Sequence, residues 1–381
     1  MTGLHIAKQI QIEDFVKQNK IDIVNLQEIN IENDTFSECK YITSSFNLFV
    51  NNSQNKYGTA CLVRYEYQVE NVNMDKKGRI IIFEMGGMTC GNVYIQSGTD
   101  ALARRGKREN CFSEVIPQLL INHRQQGYVG GDFNSIIQKE DATHNPESKL
   151  SPSLKRLVSV FKWKDSFRTL YPQAREFSRY YNHDRTGFGG SRIDRCYHWG
   201  AITIVETKYS SLAFSDHLAM IVTLSMPDQM AKMTSPKSRP YFRTSPEVVV
   251  DNVFRANLSN RMKVWLDIKN QGVDVLLWWE KLVKPGIKKL ALERGKELKK
   301  ERRSHLNLLL VKQAYLTMKI QRGKLSRLTE LKVVQHQVEE WYDKECKKIA
   351  LQSKTDDIQQ SEKIRIYHHE IHQKVIKKSK L

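Results

Sequence analysis

The chain has 381 residues and a formal net charge of +19, and 40% of its residues are hydrophobic. This length accommodates one large globular domain and an extension. The six cysteines show no metal-ligand spacing, so the sequence indicates neither a zinc site nor a disulfide framework. No apolar run approaches the ~20 residues that span a bilayer. No signal peptide opens the sequence. We therefore expect an intracellular protein, nuclear or cytoplasmic, with reduced cysteines.

Strands and helices alternate through the first part of the chain. Residues 8–19 carry apolar side chains at helical spacing, and Ile21–Leu26 is typical of a strand that leads to Glu28. Helices are also predicted at 106–123 and 153–162. The other predicted strands are Ala60–Val63, Arg79–Phe83, Asn92–Ile95, Tyr128–Gly130, Ile193–Tyr197, Ala201–Val205 and Ala219–Leu224. This order predicts an α/β fold with two sheets in a sandwich, in which loops at one rim carry the reacting groups.

A proline-rich stretch then divides the chain. Four prolines in residues 226–253 predict an extended linker, because proline fixes φ and lacks an N–H donor. Beyond it, Leu276–Trp279 and the apolar positions from Leu325 to Trp341 have helical spacing. We therefore predict three parts: a domain at 1–225, a linker at 226–253 and a helical extension at 254–381 with little contact to the domain.

The charge is concentrated in the extension. Residues 1–228 contain 27 Lys and Arg and 25 Asp and Glu, whereas residues 229–381 contain 34 and 17. A basic extension favours binding to nucleic acid through counterion release. A solvated helical segment with excess lysine is an equally good interpretation.

Four short motifs follow apolar runs in the first part. They are Leu26-Gln27-Glu28, Gly130-Gly131-Asp132-Phe133-Asn134, Ser191-Arg192-Ile193-Asp194-Arg195 and Ser215-Asp216-His217. Together they supply a carboxylate for a hard cation, an Asp/Asn pair and a histidine with an acidic partner. A metal-assisted phosphodiester hydrolase needs this set of groups.

The ordered series resembles the exonuclease–endonuclease–phosphatase superfamily, and more narrowly the apurinic-endonuclease-type domain of LINE (non-LTR) retrotransposons. The resemblance runs from Gly3-Leu4 to about Leu224 and includes Tyr57–Ala60 and Asn92–Gly98. It implies a DNase I-like sandwich, Mg²⁺ or Mn²⁺ as the cofactor and double-stranded DNA as the substrate. The extension could also bind the element's RNA. The oligomeric state is not predicted.

The resemblance assigns a role to each site residue. Glu28 is a metal ligand, although a surface glutamate that caps a turn would have the same sequence context. Asp132 and Asn134 flank Phe133 and point the same way on an extended segment. Asp132 orients or deprotonates water, and Asn134 donates to a phosphate oxygen; an Asx turn is the alternative explanation of this pair.

The second group of residues surrounds the histidine. Asp194 holds His217, which stabilises charge on the phosphate. Asp216 is either a metal ligand or an acid that hydrogen-bonds to the metal ligands. Tyr94 contacts the scissile phosphate, or is a packed strand aromatic. Ser178 corresponds loosely to a substrate-binding residue of the family. Arg104, Arg105, Lys107 and Arg108 form a cluster that could contact phosphates, and a solvated flank at the start of a helix is an equally good interpretation. The glycine-rich segment 182–190 is predicted to be a flexible loop.

One departure from the family affects the expected activity. Family members begin with a strand that ends in a metal-site Asn, just before the Gly-Leu that is seen here as Gly3-Leu4. Because that strand precedes Met1, we expect a truncated domain with an unfilled position in one sheet. The expected function is Mg²⁺-dependent nicking of DNA that leaves 3′-hydroxyl ends, at a reduced rate. The alternatives are a DNA-binding remnant without turnover and a phosphatase of the same superfamily.

Overall fold

The computed structural model describes residues 6–29, 45–52, 58–97, 102–121, 125–183, 187–225 and 244–361. Gly3-Leu4, Tyr57 and residues 226–243 of the predicted linker lie outside the described residues. No helix in the described ranges is long and apolar enough to cross a membrane. The described cysteines are all free thiols, in agreement with their irregular spacing.

The strands form an α/β sandwich, as the sequence predicts. One sheet has the order β1-β3-β2, a six-stranded sheet has the order β4-β5-β6-β7-β11-β8, and β9–β10 and β12–β13 are hairpins. The strands are β1 (Ile23–Gln27), β2 (Phe46–Asn51), β3 (Thr59–Arg64), β4 (Val69–Met74), β5 (Ile80–Met85), β6 (Met88–Tyr94), β7 (Gly127–Asp132), β8 (Lys164–Asp165), β9 (Arg179–His183), β10 (Gly187–Ser191), β11 (Asp194–Trp199), β12 (Thr203–Ser211) and β13 (Leu218–Ser225).

The helices of the first part cover the sandwich. They are α1 (Ile6–Asn19), α2 (Leu102–Asn110), α3 (Ile116–Leu119), α4 (Pro146–Lys149), α5 (Pro152–Val160) and α6 (Ser166–Leu170). The predicted helix at 106–123 is thus two helices, α2 and α3, joined by a π-helical turn. Helix α5 begins where the sequence indicates, because Ser151 accepts from the Leu154 amide and Pro152 occupies the first turn.

Three apolar layers hold the sandwich together. Between the sheets, β3, β12 and β13 contribute side chains that pack on β5, β6, β7 and β11. On the opposite face of the six-stranded sheet, Phe112, Phe133 and Trp163 belong to a second cluster that the π-helical turn, α3 and α5 cover. Helix α1 packs Ile12 and Val16 on the outside of the β1-β3-β2 sheet. Both faces of β5 and β6 are therefore buried, which explains the nearly continuous apolar sequence of β5.

A groove of about 460 Å³ lies between β1 and β13. Within the described residues, β1 pairs only with β3, and β13 pairs only with β12. Helix α1 lines one side of the groove, and Glu28 and His217 lie on its wall. The backbone edges of β1 and β13 that face the groove therefore have no strand partner in this part of the chain.

The segment predicted as a flexible loop is largely a β-hairpin. Strands β9 and β10 pair in antiparallel register from Gly187↔His183 to Ser191↔Arg179. A side chain at Gly189 or Gly190 would collide with the rings of Tyr181 or Phe177. These glycines allow close packing on aromatic rings, and the prediction that they mark a flexible loop was wrong for this reason.

The remaining helices are divided between two compact units. They are α7 (Pro246–Val250), α8 (Asn252–Asn270), α9 (Val275–Trp278), α10 (Lys284–Gln321) and α11 (Leu328–Ser361). The first unit contains the α/β sandwich and also Val311–Tyr342, the end of α10 and the start of α11. The expectation that the extension makes little contact with the sandwich was therefore wrong. Its physical reason is the stripe of buried side chains on α11, namely Leu331, Val334, Val338 and Tyr342.

The second unit has its own core. Its described part consists of residues 244–310 and of the part of α11 that follows Tyr342. Phe254 and Val248 pack with Ala291, and Trp265 packs with Trp278 and Val283. Helix α8 is capped by Asp251, whose carboxylate accepts from the Phe254 amide and pairs with Arg294.

Candidate active site

Three neighbouring strands bring the predicted site residues together. Strands β6 and β7 are parallel and place Tyr94 opposite Asp132, while β7 and β11 are antiparallel and place Asp132 opposite Asp194. These residues therefore lie side by side across the end of β6, the end of β7 and the start of β11. Residues far apart in sequence form one row at the rim of the sheet.

Glu28 lies directly after β1 with a positive φ of 57°. This left-handed conformation is strained for glutamate, and strain of this kind is concentrated at functional sites. The Tyr94 hydroxyl donates to Glu28 Oε1 at 2.8 Å and holds the carboxylate at the rim. The Gln27 amide donates to Asn92 Oδ1 at 2.6 Å, and the buried Asn92 amide donates to the Leu26 carbonyl. The position of Glu28 is thus fixed from both its side chain and its backbone.

Asp132 and Asn134 form a rigid pair. The Asn134 backbone N–H donates to Asp132 Oδ1 at 2.9 Å, and its side-chain amide donates to Asp132 Oδ2 and to the Ile95 carbonyl, both at 2.8 Å. Phe133 points into the core. Gly131 is required here, because a Cβ on it would collide with the Val93 carbonyl. In this arrangement Asn134 orients the Asp132 carboxylate, and its predicted contact with phosphate stays a prediction.

Asp194 holds His217 from the other side of the site. His217 Nδ1 lies 2.9 Å from Asp194 Oδ2, which leaves Nε2 as the nitrogen available to a substrate. The Asp194 backbone is positioned by Ser178, whose buried hydroxyl accepts from the amides of Ile193 and Asp194 at 3.0 Å. Ser178 was predicted to bind substrate; in the structure its hydroxyl supports the backbone of Asp194.

The charges of the cluster perturb one another. Burial, together with the negative charge of Asp194, raises the pKa of Asp132 well above that of an ordinary carboxyl group. Burial acts to lower the pKa of His217, but the charge and hydrogen bond of Asp194 outweigh it and raise that pKa to about 9. His217 is therefore a cation at neutral pH, and Asp132 has the raised proton affinity that suits a general base.

The donor set fits a hard divalent cation. One ligand atom from each of Asp132, Asp194 and His217 lies within 4.8 Å of the others, and Glu28 adds its negative charge to the electrostatic environment of Asp132. Several carboxylates beside a single imidazolium leave excess negative charge in a largely buried site. A divalent ion would balance this charge, and carboxylate oxygens are the ligands that Mg²⁺ prefers. Glu28, whose carboxylate is held at the rim by Tyr94, is available to hold it, whereas Asp194 is engaged by His217.

The other predicted residues lie outside this cluster. Asp216 is exposed and forms a bidentate pair with Arg179, at 3.1 and 2.9 Å, instead of joining the converging ligand atoms. Arg105 is exposed on α2, and the side chain of Arg104 is outside the described residues. Arg108, which belongs to the cluster predicted to contact phosphates or solvent, is instead buried and donates to the carbonyls of Asn134 and Ser148, both at 3.3 Å. Its place within an arginine cluster gave no indication of this role.

Two arginines close to Asp194 in sequence belong to a buried ion-pair network. Arg192 and Arg195 lie on either side of Asp194 in sequence and both donate to Asp141, at 2.9 and 2.8 Å. Both arginines also donate to Asp165, and Arg168 donates to Asp141 at 2.8 Å. Arg192 and Arg195 are almost fully buried. The Ser191–Arg195 motif thus contains one residue of the site, Asp194, and two arginines that anchor the motif to the fold. Only the role of Asp194 was predicted.

Comparisons with known proteins identify the family and the fold of the chain. The model of the endonuclease/exonuclease/phosphatase family matches residues 7–217. No curated protein sequence matches the chain. Among solved structures, an AP endonuclease from Archaeoglobus fulgidus is similar with 17% identity and a TM-score of 0.50, over 59% of this chain and 97% of that one.

Two further similar structures are a 3′-5′ exonuclease from Neisseria meningitidis and a 3′ phosphatase from Neisseria bound to product DNA hairpin. Each has 18% identity and a TM-score of 0.50, over 59% of this chain and 96% of that chain. At this level of identity the structures show that the fold is shared. The family match covers more than half of the sequence and includes every residue of the site. The chain therefore belongs to the endonuclease/exonuclease/phosphatase family.

Proposed function

We propose that this chain is a divalent-metal-dependent phosphodiesterase of the LINE retrotransposon type that nicks double-stranded DNA and leaves 3′-hydroxyl ends. The observation that carries the proposal is the convergence of Asp132 and Asp194-His217 on one rim, with Glu28 held at the same rim by Tyr94. The four motifs that form this rim have the order found in LINE endonuclease domains. The LINE assignment rests on that motif resemblance.

Each residue has a role in phosphodiester hydrolysis that follows from its surroundings. Asp132, with its raised pKa, accepts a proton from the attacking water. The cationic His217 donates through Nε2 to a phosphate oxygen and stabilises the negative charge that develops there. A divalent ion held by Glu28 would supply further charge neutralisation at the phosphate. Asn134 and Asp194 keep Asp132 and His217 in place.

The groove beside the site favours a second candidate, a DNA-binding protein with slow or no turnover. Strands β1 and β13 carry Glu28 and His217 at their ends, and neither strand has a partner on the groove side within the described residues. Catalytic geometry depends on rigid support, since a displacement of about 1 Å can lower a rate ~100-fold. We therefore expect nicking to be slow. A supercoiled plasmid reveals slow nicking, because one break relaxes the whole molecule.

Substitution of Glu28 tests the metal assignment. We expect Glu28→Gln to raise the Mg²⁺ concentration for half-maximal nicking by at least ~10–100-fold. Loss of a residue that only hydrogen-bonds to a metal ligand already has an effect of this size. The loss of one carboxylate weakens binding of the ion and leaves Asp132 and His217 in place. The measurement is the rate of plasmid nicking over a series of Mg²⁺ concentrations, with Glu206→Gln, an exposed acid on β12, as the control. An unchanged Mg²⁺ dependence in Glu28→Gln would remove Glu28 from the metal site.

The basic charge outside the sandwich supports binding to double-stranded DNA. Lys299 and Lys300 are adjacent exposed lysines on α10, within the most basic part of the chain. Contacts of this type are with phosphates, so we expect steep salt dependence and little sequence preference. Replacing both lysines by glutamine should make the slope of log K against log[salt] shallower by about 1 for each phosphate contact that is lost.

Electrophoretic mobility shift at several salt concentrations measures this slope. The matched control replaces Lys76 and Lys77, adjacent exposed lysines in the turn between β4 and β5, by glutamine. An equal change in the control variant, or no salt dependence in the unmodified chain, would contradict binding through the extension. An RNA duplex of the same length, used as a competitor, distinguishes a preference for DNA from general affinity for nucleic acid.

A further inference from the structure

The first compact unit contains two helical segments from the extension, and they contact the sandwich close to the catalytic histidine. The Tyr342 hydroxyl donates to Asp14 of α1 at 3.1 Å. Gln313 is almost fully buried on α10, and its amide donates to the Ser211 carbonyl at 2.8 Å. Both helices therefore contribute polar contacts to the sandwich, at α1 and at the end of β12.

Gln335 of α11 makes the most concentrated of these contacts. Its amide nitrogen lies 2.8 Å from the Leu212 carbonyl, 3.0 Å from Ser211 Oγ and 3.4 Å from the Ser215 carbonyl. Ser211 ends β12, and Ser215 stands two residues before His217. A primary amide has two N–H donors, so the Gln335 side chain holds both ends of the short segment that leads to the histidine.

The contact reaches His217 through one more hydrogen bond. The His217 backbone N–H donates to Ser215 Oγ at 3.0 Å, and the next amide, that of Leu218, donates to the Ser178 carbonyl at 2.7 Å. Asp194 fixes the imidazole itself. The backbone of His217 is thus held on one side by Ser178 and on the other by a segment whose partner is Gln335.

The groups around Gln335 require a hydrogen-bond donor at this position. It is partly buried beside the apolar stripe of Leu331, Val334 and Val338. A polar side chain at such a position lowers stability unless its hydrogen bonds are made. The groups that face it are two carbonyls and a hydroxyl, which accept hydrogen bonds. Neither an apolar side chain nor a carboxylate would satisfy both carbonyls.

We propose that Gln335 is a positioning residue of the active site, which fixes His217 through the Ser211–Ser215 segment. The helical extension then contributes to catalysis as well as to binding. The catalytic part of this inference rests on the proposed phosphodiesterase function. The structural part, that Gln335 orders the segment, is independent of any activity.

The test compares variants that differ in donor capacity. Gln335→Met keeps the length and removes the donors, Gln335→Asn keeps the amide but is one methylene shorter, and Gln335→Lys keeps the donors. Gln337→Met, at an exposed position on the same helix, is the control. We expect Gln335→Met and Gln335→Asn to lower kcat of nicking by about 10–100-fold with little change in KM, since misplacement of a catalytic group affects the rate more than substrate binding. Gln335→Lys should recover most of this loss.

Amide hydrogen exchange separates this inference from the proposed function. In the Met and Asn variants we expect faster exchange confined to residues 211–218, whether or not the chain nicks DNA. Faster exchange there with no nicking by any variant, the unmodified chain included, would leave Gln335 as the residue that orders the segment and would contradict the phosphodiesterase proposal instead. Unchanged exchange at 211–218, or an equal increase throughout α1 and β12, would overturn the inference. A fall in kcat for Gln335→Met that is no larger than the fall for Gln337→Met would also overturn the inference.

Discussion

Asp132→Asn is expected to lower the rate of plasmid nicking by about 10²–10⁴-fold, the range for a positioned proton acceptor. The substitution keeps the shape of the side chain and removes its charge and basicity. The amide oxygen still accepts from the Asn134 backbone N–H, whereas the hydrogen bond from the Asn134 side-chain amide is lost. We expect the fold and DNA affinity to be retained, so the loss should appear in kcat.

His217→Ala should have an effect of similar size for a different reason. It removes the cation that faces the phosphate and leaves Asp194 without its partner. Single-turnover nicking with excess protein measures both variants, and Asp216→Asn is the neighbouring control, because Asp216 pairs with Arg179 at the surface. Equal rates for Asp132→Asn and the unmodified chain would remove the site assignment altogether.

Asp141→Asn is expected to lower the free energy of unfolding by about 3–5 kcal/mol, the cost of breaking one side of a buried ion pair. Three arginines donate to this carboxylate, and two of them, Arg192 and Arg195, are almost fully buried. In the variant Arg192 and Arg195 share the single remaining carboxylate of Asp165, and Arg168 loses its partner in the network. Urea unfolding measures the change, with Glu140→Gln as the exposed neighbouring control.

The same substitution has a defined pH dependence. Burial opposes ionisation of Asp141, but the charges of Arg195 and Arg192 outweigh it and hold its pKa well below that of a free carboxyl group. A depressed folded-state pKa stabilises the protein above the unfolded-state pKa of about 4, and this stability is lost as pH falls. The difference between the unmodified chain and Asp141→Asn should therefore be constant above about pH 5 and shrink at lower pH. A difference in the free energy of unfolding that is small at pH 7, or that does not change below pH 5, would contradict the role of the network.

The sequence was sufficient for the sandwich and for most of the cluster. The rim residues follow apolar strands, so their motifs indicate both the strand and the group at its end, as with Tyr94, Asp132 and Asp194. Residues that act through burial were harder to recognise. Asn92 and Asp141 contact partners more than 50 residues away, and nothing in their local pattern indicates which residues those are. Ser178 was recognised as part of the site, but its burial, and hence its backbone role, required the structure.

The helical extension shows another limit of sequence patterns. The period of α11 predicts that Leu331, Val334 and Val338 share one face, and they do so in the structure. Periodicity does not identify the surface that a face packs on, and the basic composition was equally compatible with a solvated segment and a segment that binds nucleic acid. Polar contacts such as that of Gln335 with Leu212 fix the partner, and they cannot be deduced from spacing.

The central claim is that the rim of Glu28, Asp132, Asp194 and His217 hydrolyses a DNA phosphodiester with a divalent ion. Incubation of residues 1–381 with supercoiled plasmid and Mg²⁺, followed by DNA ligase, tests it most directly. Ligase seals only nicks that have a 3′-hydroxyl and a 5′-phosphate. We predict slow nicking that a chelator abolishes, that Asp132→Asn lacks and that ligase reverses. Nicks that form in the presence of chelator, persist in Asp132→Asn or resist ligase would contradict the claim, as would DNA binding with no nicking at any Mg²⁺ or Mn²⁺ concentration.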